Sequence, residues 1–283
     1  MYYIGLITAA ILFSSQFLFN QKFEEECGTS IAASMLFSLY TSIVGFCVLF
    51  AINRFKLDFS MFSLFIAAAY SIVNILYTIA SVKAFETVNL SAYSVFAMLG
   101  GMMLPSLYGI IISNEPINAL KISCFIFIIG SLLFTIDFKQ SLGKKIYYAG
   151  VFILNGLAGV LSVIHQTSTN AVDSFSFLML SRIISIAICM TFFLAKRRRF
   201  SKITSKSIFY SAGFAVFCTV GNLLVLLSLK HLPASIQYPI ITGGVMFISL
   251  IISMIRKEKV SYKNIISTVI AFAATILIVI PTA

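Results

Sequence analysis

Ten stretches of about 20 mostly apolar residues follow one another through this chain, separated by polar interruptions too short to fold alone. Helices are expected at 2–21, 30–52, 61–81, 88–112, 118–137, 147–166, 172–195, 206–229, 233–255 and 262–281. A stretch of that length reaches across the hydrocarbon core of a bilayer, where only a helix or a closed barrel satisfies its own backbone. Composition agrees: 60% of the residues are hydrophobic and 10% charged, against about a quarter charged in soluble domains. The expected class is an all-α integral membrane protein.

The net charge of +11 would suggest nucleic acid in a soluble protein. Here the bases sit in short loops, where membrane orientation explains them, and no nucleic-acid partner is expected. The five cysteines are scattered without a C-x-x-C pair and read as small apolar packing residues. The first segment has no basic residue before Lys22 and no small-residue cleavage site after it, so it reads as a retained span. No cofactor or metal motif is present.

The chain repeats itself. Tyr2-Tyr3-Ile4-Gly5 returns as Tyr147-Tyr148-Ala149-Gly150, and Gln21 returns as Gln166. Asn74 followed by Lys83 matches Asn222 followed by Lys230, and Glu115-Pro116-Ile117-Asn118 matches Glu258-Lys259-Val260-Ser261. Two copies of five spans, residues 1–143 and 144–283, are expected. An odd number of spans turns the second copy over, so the fold expectation is ten transmembrane helices as two inverted five-helix repeats, an architecture of secondary transporters.

These features resemble the EamA-like family of the drug/metabolite transporter superfamily. The resemblance rests on the two five-helix halves and on Leu229-Lys230-His231-Leu232-Pro233-Ala234-Ser235 leading into a span with Gly243-Gly244. A Glu-x-hydrophobic-Ser/Asn turn before the closing span of each half adds to it. The first half departs from the pattern, with Phe85-Glu86-Thr87-Val88 in place of the Leu-Pro-Ala-Ser turn and Asn114 where Gly often precedes the Glu. The resemblance implies a multi-pass permease, not an enzyme, in a bacterial cell membrane. It implies movement of a small molecule through a central cavity, by a monomer or a homodimer in contact with the lipid bilayer.

Fifteen of the twenty basic residues fall in loops on one side, which by the positive-inside tendency puts both termini outside. The family resemblance implies cytoplasmic termini instead.

Polar residues inside spans are costly unless they meet a partner or a wet cavity. Tyr70, Asn74, Tyr77 and Ser81 share one face of the third span. Asn155, Gly159, Ser162 and Gln166 share one of the sixth, and Ser211, Ala215, Cys218 and Asn222 one of the eighth. Such stripes serve close packing or line a cavity. Asn74 and Asn222 occupy matching repeat positions and are expected to converge. Tyr93 stands seven residues before Gly100, and Gln237 seven before Gly244, with Tyr238 next to it at the expected bend. Pro239 and Pro105 are expected to bend their spans. Tyr77, Tyr93, Asn155, Gln237 and Tyr238 therefore join Asn74 and Asn222 as cavity candidates.

Arg182 lies near the middle of the seventh span, and every carboxylate lies at a helix end. It either offers a fork of donors to an anionic group of a substrate or ties down carbonyls as a structural residue. The first span lacks the embedded Glu with which small multidrug exporters of the superfamily trade protons for cationic drugs. Zwitterionic or anionic cargo, an amino acid or a similar compound, is expected. His165 reads as an interfacial residue able to titrate near neutral pH. The alternatives are a lipid head-group flippase of the same fold and a non-transporting membrane scaffold. An intramembrane enzyme would need a nucleophile and base that the two histidines do not supply.

Overall fold

The computed structural model describes residues 2–86, 90–112, isolated helical positions between 119 and 130, 142–196, 204–258 and 260–279. Among these residues every regular element is a helix. They are α1 (Tyr2–Cys27), α2 (Ile31–Ile52), α3 (Met61–Ala84), α4 (Leu90–Ile111), α5 (Leu142–Thr167), α6 (Ser174–Lys196), α7 (Ser205–Leu229), α8 (Ala234–Ile255) and α9 (Tyr262–Val279). Eight of the described helices are long and apolar enough to cross a membrane. The chain is a multi-pass membrane protein. The expected span 118–137, the Glu115 to Asn118 turn, Asp137, Lys259 and Arg197 to Arg199 lie outside the described residues, as does the side chain of Pro239.

Two boundaries differ from expectation. α1 does not end at residue 21 but runs on to Cys27, because Lys22 pairs with Glu25 one turn later and the Glu residues continue a helix readily. It ends at Gly28, whose φ of 76° suits a residue without Cβ. The stretch ahead of the expected start at residue 147 is likewise helical from Leu142 onward. Three other starts are built from short polar side chains. Ser30 caps α2 and Ser60 caps α3, and Thr204 forms a reciprocal capping box with Ser207 at α7. α4 continues as a helix through Pro105, and α8 through position 239.

The bundle is apolar on the outside, as a bilayer requires. Phe65, Leu194 and Ile255 are each more than 70% exposed, while serines such as Ser71, Ser81 and Ser211 are buried. One packed cluster joins α1, α4, α5 and α8 through Leu6, Phe17, Leu99, Val151 and Val245. A second joins α2, α3, α6 and α7 through Leu49, Tyr70, Phe177 and Leu226.

Each helix of the first half packs mainly on helices of the second. α1 lies against α7 and α8, α2 against α6 and α7, α3 against α5 and α6, and α4 against α5 and α8. Exchanging α1 with α5, α2 with α6, α3 with α7 and α4 with α8 returns the same set of neighbours. These interleaved helices leave a space between the two clusters, and that space is the site.

Candidate functional site

The polar stripes of α1, α2, α3, α5, α6 and α7 surround a cavity to which α4 and α8 also contribute. It holds about 1160 Å³ of empty space, its open mouth included. Its walls mix aromatic rings (Phe13, Phe37, Tyr70, Phe214) with amides and hydroxyls (Asn20, Ser42, Asn155, Ser162). A few placed polar groups on an apolar wall are the ordinary build of a small-molecule site.

Asn74, Tyr77, Asn155, Arg182, Asn222 and Tyr238 all line this cavity. The four-residue stripe of the third expected span, Tyr70, Asn74, Tyr77 and Ser81, does so in full. Of the sixth span's stripe, Asn155, Gly159 and Ser162 reach it. Gln166 instead hydrogen-bonds His165 and Ser174 at the helix end.

Tyr93 and Gln237 stand one layer behind the wall. The Tyr93 hydroxyl is 2.6 Å from that of Tyr77 and 2.7 Å from that of Ser81, and Asn20 Nδ2 donates to Ser81 Oγ at 2.7 Å. Tyr93 thus holds two cavity hydroxyls in place without lining the cavity. Gln237 is fully buried, and its Nε2 donates to the Val225 carbonyl, tying α8 to α7. Tyr238 reaches the Gly159 carbonyl at 3.3 Å.

Arg182 is the single charged side chain among the described lining residues. Among the described residues its Nε is buried without a hydrogen-bond partner, and Nη2 meets the Cys218 sulfur at 3.9 Å. No acidic side chain among the described residues pairs with it. It fits because α2 presents Gly45: a Cβ there would stand 3.2 Å from Arg182 Nε and 2.8 Å from Thr219 Oγ1. A guanidinium kept in a low-dielectric bundle without an acid is costly, and an anionic group placed there offsets that cost.

The second helix, expected at 30–52, adds a polar stripe of its own. Ser38, Thr41 and Ser42 line the cavity from α2, and with Gly45 they recur at one-turn spacing, the signal that would have exposed them. Thr242 of α8 carries no such pattern and enters only through packing, its hydroxyl turned to the Met98 carbonyl at 3.4 Å.

His165 lies two residues from the C-terminal end of α5 and faces protein, not solvent. It is fully buried, stacked on Phe177 at 3.9 Å between ring centroids, with Nε2 2.9 Å from Ser63 Oγ and Nδ1 3.0 Å from Gln166 Nε2. Ser63 Oγ also accepts from the Val172 amide, so this cluster joins the start of α3 to the loop between α5 and α6.

Comparison with known proteins agrees with this architecture. A solved structure titled "Crystal structure of protein" superposes with a TM-score of 0.65 at 12% identity, covering 98% of this chain and 96% of that chain; the likeness is one of fold. No curated protein matches the sequence significantly. The family model of the EamA-like transporter family matches residues 145–280. By that segment, which spans α5 to α9, the second half of the chain is similar to the EamA-like transporter family.

Proposed function

We propose that this protein is a secondary transporter that carries a small metabolite with a carboxylate or similar anionic group through its central cavity by alternating access. The observation that carries the reading is Arg182: a cation in the cavity wall whose buried Nε has no hydrogen-bond partner, and which has no acid beside it, among the described residues. The frame is taken to be ten spans in two inverted five-helix repeats, 1–143 and 144–283, in a cell membrane. Support comes from the neighbour set, which survives exchange of the two halves, and from Asn74 and Asn222, which line one cavity from matching repeat positions. Two such halves rocking about a shared site expose it to either side in turn.

In that cycle Arg182 holds the anionic end through charge-assisted hydrogen bonds, and the aromatic walls exclude water around the rest. The test is uptake into proteoliposomes together with ligand-dependent thermal stabilisation of the purified protein. Arg182→Lys keeps the charge and loses the planar fork, and should weaken carboxylate binding about tenfold or more. Stabilisation by cationic ligands alone, or unchanged carboxylate binding in Arg182→Ala, overturns the reading.

A further inference from the structure

A polar relay that does not line the cavity lies at the end of the bundle where α5 ends and α3 and α6 begin. His165 stands about one turn beyond the cavity residue Ser162, and Phe177, stacked on His165, also packs against Tyr70 of the cavity wall at 5.4 Å between ring centroids. The hydrogen bonds here cross between the two halves of the chain. His165 Nε2 is 2.9 Å from Ser63 Oγ, and the Val172 amide donates to Ser63 Oγ at 3.0 Å. Ser60 Oγ donates to the Asn170 carbonyl at 3.0 Å, and the Asp58 amide to Ser176 Oγ at 2.9 Å. Ser63, His165, Ser174, Ser176 and Phe177 are all buried, so this contact is closed to solvent.

Each proton in the relay has a defined direction. Ser174 Oγ donates to Gln166 Oε1 at 3.1 Å, which turns the N–H side of that amide to His165 Nδ1 at 3.0 Å. Nδ1 is then an acceptor, and the single proton of a neutral ring sits on Nε2 and is donated to Ser63 Oγ. Ser60 Oγ lies 3.0 Å from Ser63 Oγ and has one proton, which the Asn170 carbonyl takes; the Ser63 proton therefore turns to Ser60. Ser63 Oγ thus accepts from His165 and Val172, and its capacity is full. Every donor from Ser174 to Asn170 has one acceptor, provided that His165 is neutral.

A second proton on the ring has no place in this relay. On Nδ1 it meets the N–H side of Gln166, and turning that amide over to offer its oxygen takes the acceptor away from Ser174. The charge would sit fully buried between Phe62 and Phe177, with no carboxylate among the described residues paired to it. Once the contact opens and the ring is wetted, an imidazole takes a proton at about pH 6.5. Resting on the alternating-access reading of the two halves, we infer that the relay through Ser60, Ser63, His165 and Gln166 is a proton-operated seal at one end of the cavity, closed while His165 is neutral and released when it is protonated. The proton binds the open form better, so falling pH shifts the population toward that form.

The other charges at this end do not substitute for that proton. Asp173 and Lys230 act on the ring with opposite sign, and the Asp173 carboxylate is occupied by the amides of Phe175 and Ser176 at the start of α6. Arg54, Lys56 and Asp58 in the loop before α3 are exposed, as is His231, which stacks on Tyr2. His231 is the second histidine at this end, and its substitution is the control.

Nitroxides on Lys56→Cys and Thr169→Cys, both exposed positions on the loops that the relay joins, report the seal in the purified full chain with its native cysteines replaced by serine. Pulsed electron spin resonance at pH 8 and pH 5 should show a separated population that grows at least threefold at the lower pH, in His231→Phe as in the parent. His165→Phe and His165→Gln cannot take up a proton at this position, and Gln keeps a donor for Ser63. In both, the distribution should be the same at the two pH values, and Ser63→Ala should separate the labels already at pH 8. Where the cysteine-free background does not fold, deuterium exchange of the Val172 amide in the native-cysteine chain, corrected for intrinsic rate, reads the same contact. It should be at least tenfold faster at pH 5 in the parent and unchanged in the two His165 variants.

A distance distribution or Val172 exchange rate that ignores pH overturns the seal, and so does a pH response of equal size in both His165 variants. A response lost in His231→Phe and kept in the His165 variants moves the proton to the other ring and overturns the assignment. None of these readouts needs cargo: a seal that opens with pH while no compound enters proteoliposomes supports the inference and overturns the transport reading.

Discussion

Asn74 on α3 and Asn222 on α7 make the same bond: each donates its side-chain amide to the carbonyl four residues earlier in its own helix, at 2.8 Å in both cases. The acceptors are Tyr70 and Cys218, which also line the cavity. An internal bond of this kind gives one N–H of each amide a partner inside a membrane. If the pair acts as one unit, Asn74→Ala and Asn222→Ala should each weaken ligand binding by about 1 kcal/mol, roughly fivefold. The double variant should lose less than the sum, a coupling measured in a double-mutant cycle by binding to the purified protein.

The hydroxyls of Tyr77, Tyr93 and Ser81 form a chain behind the α3 wall, and Tyr93 is its buried middle link. Tyr93→Phe preserves the ring contacts with Phe17 and Phe85 and removes the link. It should cost about 1–3 kcal/mol of stability by leaving two inner hydroxyls short of a partner. Tyr77→Phe, at the cavity end of the chain, should cost less stability and more ligand affinity. Thermal unfolding and ligand titration of the two variants separate these effects.

Contact between α4 and α5 depends on the absence of a side chain at Gly100, Gly101, Gly156 and Gly159, most strictly at Gly100. A Cβ on Gly100 would collide with the backbone of Phe152, which cannot swing away as a side chain can, whereas a Cβ on Gly150 would reach only an ordinary 3.4 Å contact with Ala80. Gly100→Ala should therefore destabilise by about 3 kcal/mol or more, at or beyond the upper end of the usual overpacking range. Gly150→Ala should stay within about 0.5 kcal/mol. The pair compares two identical substitutions in one bundle by melting temperature.

His165 packs as an aromatic and bonds as a polar residue. His165→Phe keeps a ring between Phe62 and Phe177 but takes the ring nitrogens away from Ser63 Oγ and Gln166 Nε2, so a loss of about 1–2 kcal/mol is expected. His165→Ala removes the ring as well and should lose about 3–5 kcal/mol. Ser63→Ala should fall with the smaller effect, because it breaks the same bond. Equal losses in the Phe and Ala variants would show that the ring stacking is worth little.

The fold class was legible in the chain because hydrocarbon leaves little choice. A run of about 20 apolar residues has no option there but to satisfy its backbone within itself, so the positions of α1 to α4 and α5 to α8 follow from hydropathy within a few residues. The exception at α1 has the same kind of cause. Lys22 to Glu26 look like a loop by charge, but their helix propensity and the Lys22 to Glu25 pair carry the helix past the apolar run to Gly28. Arg182 and the α3 stripe could be picked out in advance because polar groups in a span need a partner or a wet cavity.

Which partner each polar group finds is decided only by tertiary packing. Tyr93 and Gln237 carry the same sequence signal as Tyr77 and Tyr238, yet the first two are turned into the layer between helices and the second two reach the cavity. His165 has the composition of an interface residue and is sealed between two phenylalanines, because α3 brings Ser63 to its ring. Local sequence sets which face of a helix is polar. The crossing of α2, α6 and α7 at Gly45, Arg182 and Thr219 decides what that face meets, since burial and hydrogen bonding are properties of neighbours far apart in the chain.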